Sequence, residues 1–253
     1  MNPIFRFIAG YAATLLLTTG MALPVHAADD HPSVRRPFNL PPSADIAYAI
    51  KARHSGIALE GSAMAHWHAA DGKYQISVES RAMLLGKIQS SSSEGIIDSY
   101  GLAPVTATEK RFRKSATTVT FNRDAGLLRF SASEESYPLK GGEQDRTSVT
   151  WQLVSNARAA KKKFVAGSNW PYFVAGRTDA QPWNFKVGKM EKIVTPLGTV
   201  EAIKVARLLP PDSREQQLDI WLAPSLEWYP VKIRFSEPDG EVIEQLLQRI
   251  DRK

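Results

Sequence analysis

The sequence predicts a mainly β protein: a single antiparallel, strongly curled sheet, built as a half-open barrel or a sandwich, with one helix around residues 145–160. Three observations carry that expectation. Short stretches alternate apolar and polar residues with period two, tight turns rich in Gly, Asp and Pro separate them, and one stretch alone changes to a repeat of about four.

The chain opens with Met-Asn-Pro-Ile-Phe-Arg, in which Arg6 is the only charge, followed by an apolar run from Phe7 to about Leu17. The run weakens towards Val25-His26-Ala27, where small residues at the last and third-last positions fit a signal-peptidase site after Ala27. Residues 1–27 are therefore expected to be a cleavable signal peptide, too short in its apolar part to span a bilayer with the roughly 20 residues that requires. Export places the mature chain in a bacterial periplasm, with no transmembrane segment after cleavage. Without cysteine there is neither lipoprotein attachment nor a disulfide, so burial of apolar surface must hold the fold together.

Residues 28–43 carry Pro32, Pro37, Pro41 and Pro42 among Asp29, Asp30, Arg35 and Arg36, and read as an extended lead-in. A single β-rich domain is expected over 44–253, a length that β sandwiches and barrels reach as one unit. Ile46, Tyr48 and Ile50 open the alternation, and Tyr74, Ile76 and Val78 repeat it against Gln75, Ser77 and Glu79. Further strands follow at Val119 and Phe121, Leu128 and Phe130, Phe185 and Val187, Ile203 and Val205, Leu218 to Leu222, and Val231 to Phe235. Between them lie hairpin turns at Ser55-Gly56, Asp71-Gly72, Asp124-Ala125-Gly126, Pro196-Leu197-Gly198 and Pro238-Asp239-Gly240, where Gly supplies the positive φ. Val149, Leu153 and Ala157 recur every fourth residue behind Asp145 or Thr147 as N-cap, and Lys161 to Lys163 complement the helix's negative end.

The formal charge of +6, or +5 once Arg6 is lost, suits an anionic envelope surface or plain solubility. Lys110-Arg111-Phe112-Arg113-Lys114 is the densest basic run. On a strand, Lys110, Phe112 and Lys114 would share one face and Arg111 and Arg113 the other. Export argues against nucleic acid as the partner and leaves two readings for Lys110, Arg111 and Arg113, a solvated face or contact with lipid or lipopolysaccharide phosphate. Late aromatics, among them Trp151, Trp170, Phe173, Trp183, Trp221 and Trp228, either line a cavity for an apolar ligand or fill the core.

His66 and His68, two apart, would share one strand face, but His54 beyond a hairpin would lie roughly 30 Å from His66, so no metal site is expected. No Gly-x-Ser-x-Gly occurs, Cys is absent, and the run Ser90 to Ser93 reads as an exposed edge or sheet face. Neither catalytic residues nor a cofactor is expected.

The stretch Leu218-Asp219-Ile220-Trp221-Leu222-Ala223-Pro224, then Tyr229-Pro230-Val231-Lys232-Ile233-Arg234, Asp239-Gly240 and Gln245-Leu246, resembles the bacterial family known as domain of unknown function 3108. Ser43 to Gly56, Leu84-Leu85-Gly86, Glu94-Gly95, Gly101-Leu102-Ala103-Pro104 and Phe121 to Gly126 fit the same resemblance. It implies an exported β-rich protein and brings no catalytic residues with it. Trp221, Pro224, Pro230 and Lys232 are more loosely similar to periplasmic lipoprotein carriers and related sigma-factor regulators, which implies a half-open barrel with a helical plug. The leading expectation is a noncatalytic periplasmic carrier of a hydrophobic or amphipathic envelope ligand such as a lipid, lipopeptide or lipopolysaccharide moiety. The alternatives are an envelope scaffold without a bound ligand and an envelope hydrolase.

Overall fold

A computed structural model describes residues 31–253, apart from Ser55, Gly56, Leu84, Lys161 and the side chain of His54. The expected signal segment, the start of the lead-in and the Ser55-Gly56 turn lie outside the described residues.

The chain forms two meanders joined by a helix. The first runs through β1 (Ala44–His54), β2 (Ile57–Ala70), β3 (Lys73–Ala82), β4 (Gly86–Asp98), β5 (Gly101–Arg111), β6 (Thr117–Asn122), β7 (Leu127–Phe130) and β8 (Ser133–Pro138). A two-residue strand, β9 (Gln144–Asp145), leads into α1 (Ser148–Ala159). The second meander runs through β10 (Asn169–Ala175), β11 (Ala180–Thr195), β12 (Gly198–Leu208), β13 (Gln217–Leu222), β14 (Pro230–Ser236) and β15 (Val242–Arg252), with a 3-10 turn at Pro224–Leu226. Among the described residues all fifteen strands belong to one sheet, ordered β8 to β1, then β15 down to β9. The sheet stays open, with β8 and β9 as its edges, and the first and last strands meet in its middle, Ala44 opposite Arg252.

Every pairing is antiparallel except β9 with β10, whose registers Val174 to Gln144 and Ala175 to Asp145 run in parallel. A parallel neighbour needs a crossover, and α1 supplies it. The helix is shorter than the sequence suggests because Asp145 belongs to β9. Asp71 and Gly72, both at positive φ, close the β2–β3 hairpin as the Asp-Gly pair predicts.

The alternation becomes an inner face. Ile46 and Tyr48 of β1, Ala65 and Trp67 of β2, and Tyr74 and Ile76 of β3 are buried, with polar neighbours turned outwards. The sheet curls around α1, whose residues from Ser148 to Ala157 are all buried except Thr150. A helix enclosed in this way must satisfy its polar side chains inside the protein. Gln152 accepts from Leu102 N–H (2.7 Å) and donates to the Tyr100 carbonyl (3.0 Å). Asn156 receives the Tyr172 hydroxyl (2.9 Å) and donates to the Pro37 carbonyl (2.8 Å).

The lead-in, irregular over 31–43, is fastened along the helix like a strap. Asn39 N–H donates to the Ser155 carbonyl, Trp67 Nε1 to that of Pro41, and the Tyr229 hydroxyl to that of Pro42. The Arg36 guanidinium lies over Trp170 and Tyr172, and that of Arg35 over Tyr100. Its prolines suit the task, since Pro holds an extended backbone and brings no N–H that would need a partner.

Candidate functional site

Beyond the N-terminal end of α1 the inner face is not filled, and two cavities meet there at Gln216 and Phe235. The outer one, about 220 Å³, has Ile50, Ala52, Leu59, Ile88, Phe235 and Ile243 as its apolar wall. Arg53, Glu60, Arg81, Glu237 and Glu241 stand at its rim. The inner one, about 160 Å³, runs back between Tyr48, Val78, Trp151, Leu218 and Ile233 to the helix start, where Arg146, Thr147 and Thr150 line it with Arg111. Together they reach the lower end of the roughly 300–1,000 Å³ usual for ligand pockets. The groove can enclose a narrow apolar group, with polar contacts at both its mouth and its inner end.

The helix start is held rigidly beside this groove. Asp145 is buried, and its Oδ1 accepts the backbone N–H groups of Thr147 (2.7 Å) and Ser148 (2.9 Å). Its Oδ2 accepts the Ser93 hydroxyl at 2.5 Å, and the Tyr74 hydroxyl lies 3.0 Å from Ser93 Oγ. Burial holds the Asp145 carboxyl above the usual carboxylate range, against hydrogen bonds that favour the anion. The cluster contains no imidazole, and its geometry ties α1 to β4.

Two further polar clusters flank the helix. Glu143, fully buried, accepts Gly141 N–H (2.7 Å) and that of Lys140, and His31 of the strap sets Nε2 3.0 Å from its Oε1. Burial alone would raise this carboxyl, but the His31 contact and the backbone donors outweigh it and hold it below the ordinary value. On the other side, the buried Arg207 guanidinium lies 3.8 Å over Trp183 and pairs with Glu215 at 2.5 Å. Burial lowers the Arg207 pKa, which Glu215 partly offsets.

The expected ligand aromatics are not brought together. Trp151 stacks on Trp67 and edges Tyr229, while Trp170 and Trp228 flank Phe164. Phe173 sits under His31 and against Tyr137, and Trp183 under Arg207. Trp221 occupies the opposite face of β13 from Ile220 and Leu222, beneath Lys204 and Lys232, with its Nε1 donating to Glu191. Of the nine expected ligand residues only Trp151 and Arg111 line the groove. Lys110 and Arg113 project near the β5–β6 turn, where β5 ends at Arg111 and Arg113 takes positive φ, so the strand alternation expected over 110–114 does not apply.

His66 and His68 are exposed on the outer face, His66 Nδ1 lying 2.6 Å from Asp45 Oδ1. Among the described residues no three His, Cys, Asp or Glu side chains gather as a metal would require. Of the serine run, Ser93 departs from the expected exposed face: it is buried and paired with Asp145. The aliphatic groove wall escaped sequence reasoning because its residues are ordinary strand positions. The signal that could have found it is the pair of small residues Gly61, inside β2, and Ala82, at the end of β3.

An open curled sheet around one enclosed helix, with an apolar groove beyond the helix start, is the class of structure so defined. The chain belongs to the DUF3108 family of proteins of unknown function, which matches residues 47–247. No curated protein matches the sequence. Among solved structures the chain is similar to a protein from Parabacteroides distasonis described as a lipoprotein, at 11% identity over 85% of this chain and 99% of that one, with a TM-score of 0.38. It is also similar to a Bacteroides fragilis protein described as exported, with a YmcC-like fold, at 11% identity over 87% and 100%, TM-score 0.30. A domain from Vibrio parahaemolyticus described as outer membrane lipoprotein-sorting matches at 8% identity over 84% and 86%, TM-score 0.29.

Proposed function

We propose that this protein is an exported, noncatalytic binding protein that carries a hydrophobic or amphipathic envelope ligand, such as a lipid or lipopeptide, with its apolar part in the groove beyond α1. The supporting observation is the groove itself: an aliphatic wall of Ile50, Leu59, Ile88 and Ile243, of which Leu59 and Ile243 stand exposed. Unfilled apolar surface costs free energy, and an apolar guest recovers it. Of the expected ligand aromatics only Trp151 lines the groove, so the aliphatic wall carries this reading. The N-terminal segment supports export.

Strand addition to a partner is the weaker alternative. The β8 edge reads Ser-Glu-Glu-Ser-Tyr-Pro, and β9 spans two residues, so both edges are short and one is charged and ends in proline. Such edges discourage pairing with another chain.

Native mass spectrometry of the mature protein purified gently from periplasm tests the proposal. A stoichiometric adduct that disappears on organic extraction is expected, and Ala52→Trp, which fills the outer cavity, should lack it while keeping its thermal midpoint within a few degrees. A bare protein mass, with no uptake of added lipid, would overturn the reading.

A further inference from the structure

Three neighbouring hairpins extend past the packed body at the end of the sheet where the groove opens. There the inside–outside alternation lapses: Ile57, Ala58, Leu59 and Glu60 are all exposed in sequence. Ile57 is 63% exposed, and beside the β3–β4 turn Met83 and Leu85 reach 73% and 60%. Phe112 is exposed at the β5–β6 turn, with the Arg113 guanidinium 4.9 Å from its ring centroid. The pairings Gly61 with Ala82, Arg81 with Lys87 and Gln89 with Arg111 place the tips side by side in steps.

Cations are interleaved with these apolar tips. Arg81 and Lys87 share Glu79, and Arg111 pairs with Glu109, so those carboxylates are already neutralised. Lys110, Arg113 and Lys114 have no carboxylate within ion-pair distance among the described residues. The adjoining β14–β15 turn carries Glu237, Asp239 and Glu241, which sets the basic side of the edge over β3 to β6. Apolar side chains at turn tips, an aromatic with an arginine over it and unpaired cations just behind match the interface of an anionic bilayer. On such a surface apolar tips would enter the headgroup boundary while the cations met lipid phosphate.

We propose that Ile57 at the start of β2, Met83 and Leu85 between β3 and β4, and Phe112 after β5 form, with the cations beside them, a docking edge for an anionic phospholipid bilayer, which brings the groove mouth, walled by Leu59 and Ile88, against the membrane surface. Docking concerns the outside of the hairpins and does not depend on what the groove holds.

Co-sedimentation of the mature protein with vesicles tests it. Vesicles of phosphatidylethanolamine with phosphatidylglycerol should pellet the protein, those of phosphatidylcholine alone should pellet far less, and salt should weaken the binding. The double variant Met83→Ser, Leu85→Ser should bind roughly tenfold more weakly or worse. Lys110→Gln and Arg113→Gln should each cost roughly fivefold on the anionic vesicles. All four positions are exposed, so the urea midpoint should not move. A wild-type protein that stays in the supernatant with phosphatidylglycerol vesicles, or variants that pellet as wild type does, would overturn the proposal. So would a dimer in solution that Met83→Ser, Leu85→Ser converts to monomer without any vesicle binding, because the tips would then join two copies of this chain. The groove reading stands or falls separately, on the mass adduct and Ala52→Trp.

Discussion

Trp67 of β2 and Trp151 of α1 stack with ring centroids 4.7 Å apart and planes 11° from parallel, fixing the helix against the inner face of the first meander. Both rings are buried, and Trp67 also donates to the strap at the Pro41 carbonyl. Trp151→Ala should cost about 3–5 kcal/mol in urea unfolding, the usual range for truncating a buried aromatic. Trp67→Phe or Trp151→Phe should weaken the near-ultraviolet circular dichroism bands of the packed indoles and remove the far-ultraviolet exciton couplet of the stacked pair, leaving the underlying β signal.

Gly101 has φ of +112°, and a Cβ there would lie 2.5 Å from Gln152 Oε1. Gly101→Ala should therefore strain the backbone and displace the amide that joins α1 to the β4–β5 turn, costing about 3 kcal/mol. Gly240→Ala, at φ +88° but in open space, should cost about 1 kcal/mol. Parallel thermal melts of the two variants check this, and equal losses would contradict the role given to Gln152.

The strap should loosen in acid. The folded-state pKa of Glu143 is held below its ordinary value of 4.5, so its contribution is complete above that value and is lost as pH falls through the lower folded value. Urea midpoints measured from pH 6 down to roughly pH 3 should fall more steeply for wild type than for Glu143→Gln, the two curves converging at the acid end. Near neutral pH, His31→Ala should destabilise by about 1–3 kcal/mol, because it strips both the Phe173 stack and a partner from a buried carboxylate.

Arg207→Lys should not behave as a conservative change. The guanidinium sits over the Trp183 ring while it meets Glu215 and the Gln216 carbonyl, a set of contacts an ammonium cannot reproduce. A loss of about 1–3 kcal/mol is expected, with a change in tryptophan fluorescence. An unaltered emission spectrum would count against the stacking.

Period and turn chemistry made the sheet legible, because Tyr74, Ile76 and Val78 declare their face locally and Asp71-Gly72 declares its turn. The helix was legible for the same reason in Val149, Leu153 and Ala157. What could not be read is what depends on distant partners. Ser93 looks like any residue of a polar run until Asp145, 52 positions on, takes its hydroxyl. Trp221 and Trp151 are both buried, yet one lies beneath two lysines and donates to Glu191 while the other stacks on Trp67. The groove is defined by space that side chains leave unfilled, and residue identity alone does not encode that. The lead-in gave away its extended form through its prolines, while its docking rests on hydrogen bonds to a helix more than a hundred residues away.

The pairing of β1 with β15 gives the molecule a seam. Each meander can assemble from neighbours in sequence, but Ala44 and Arg252, partners at the seam, are 208 residues apart. The two half-sheets become one sheet only through β15, which pairs with β14 on one side and β1 on the other. Contacts so remote in sequence are slow to form. Until that closure, the inner faces destined for the helix and groove are open to solvent. A cut before Val242 should therefore leave two unjoined halves rather than a slightly smaller protein.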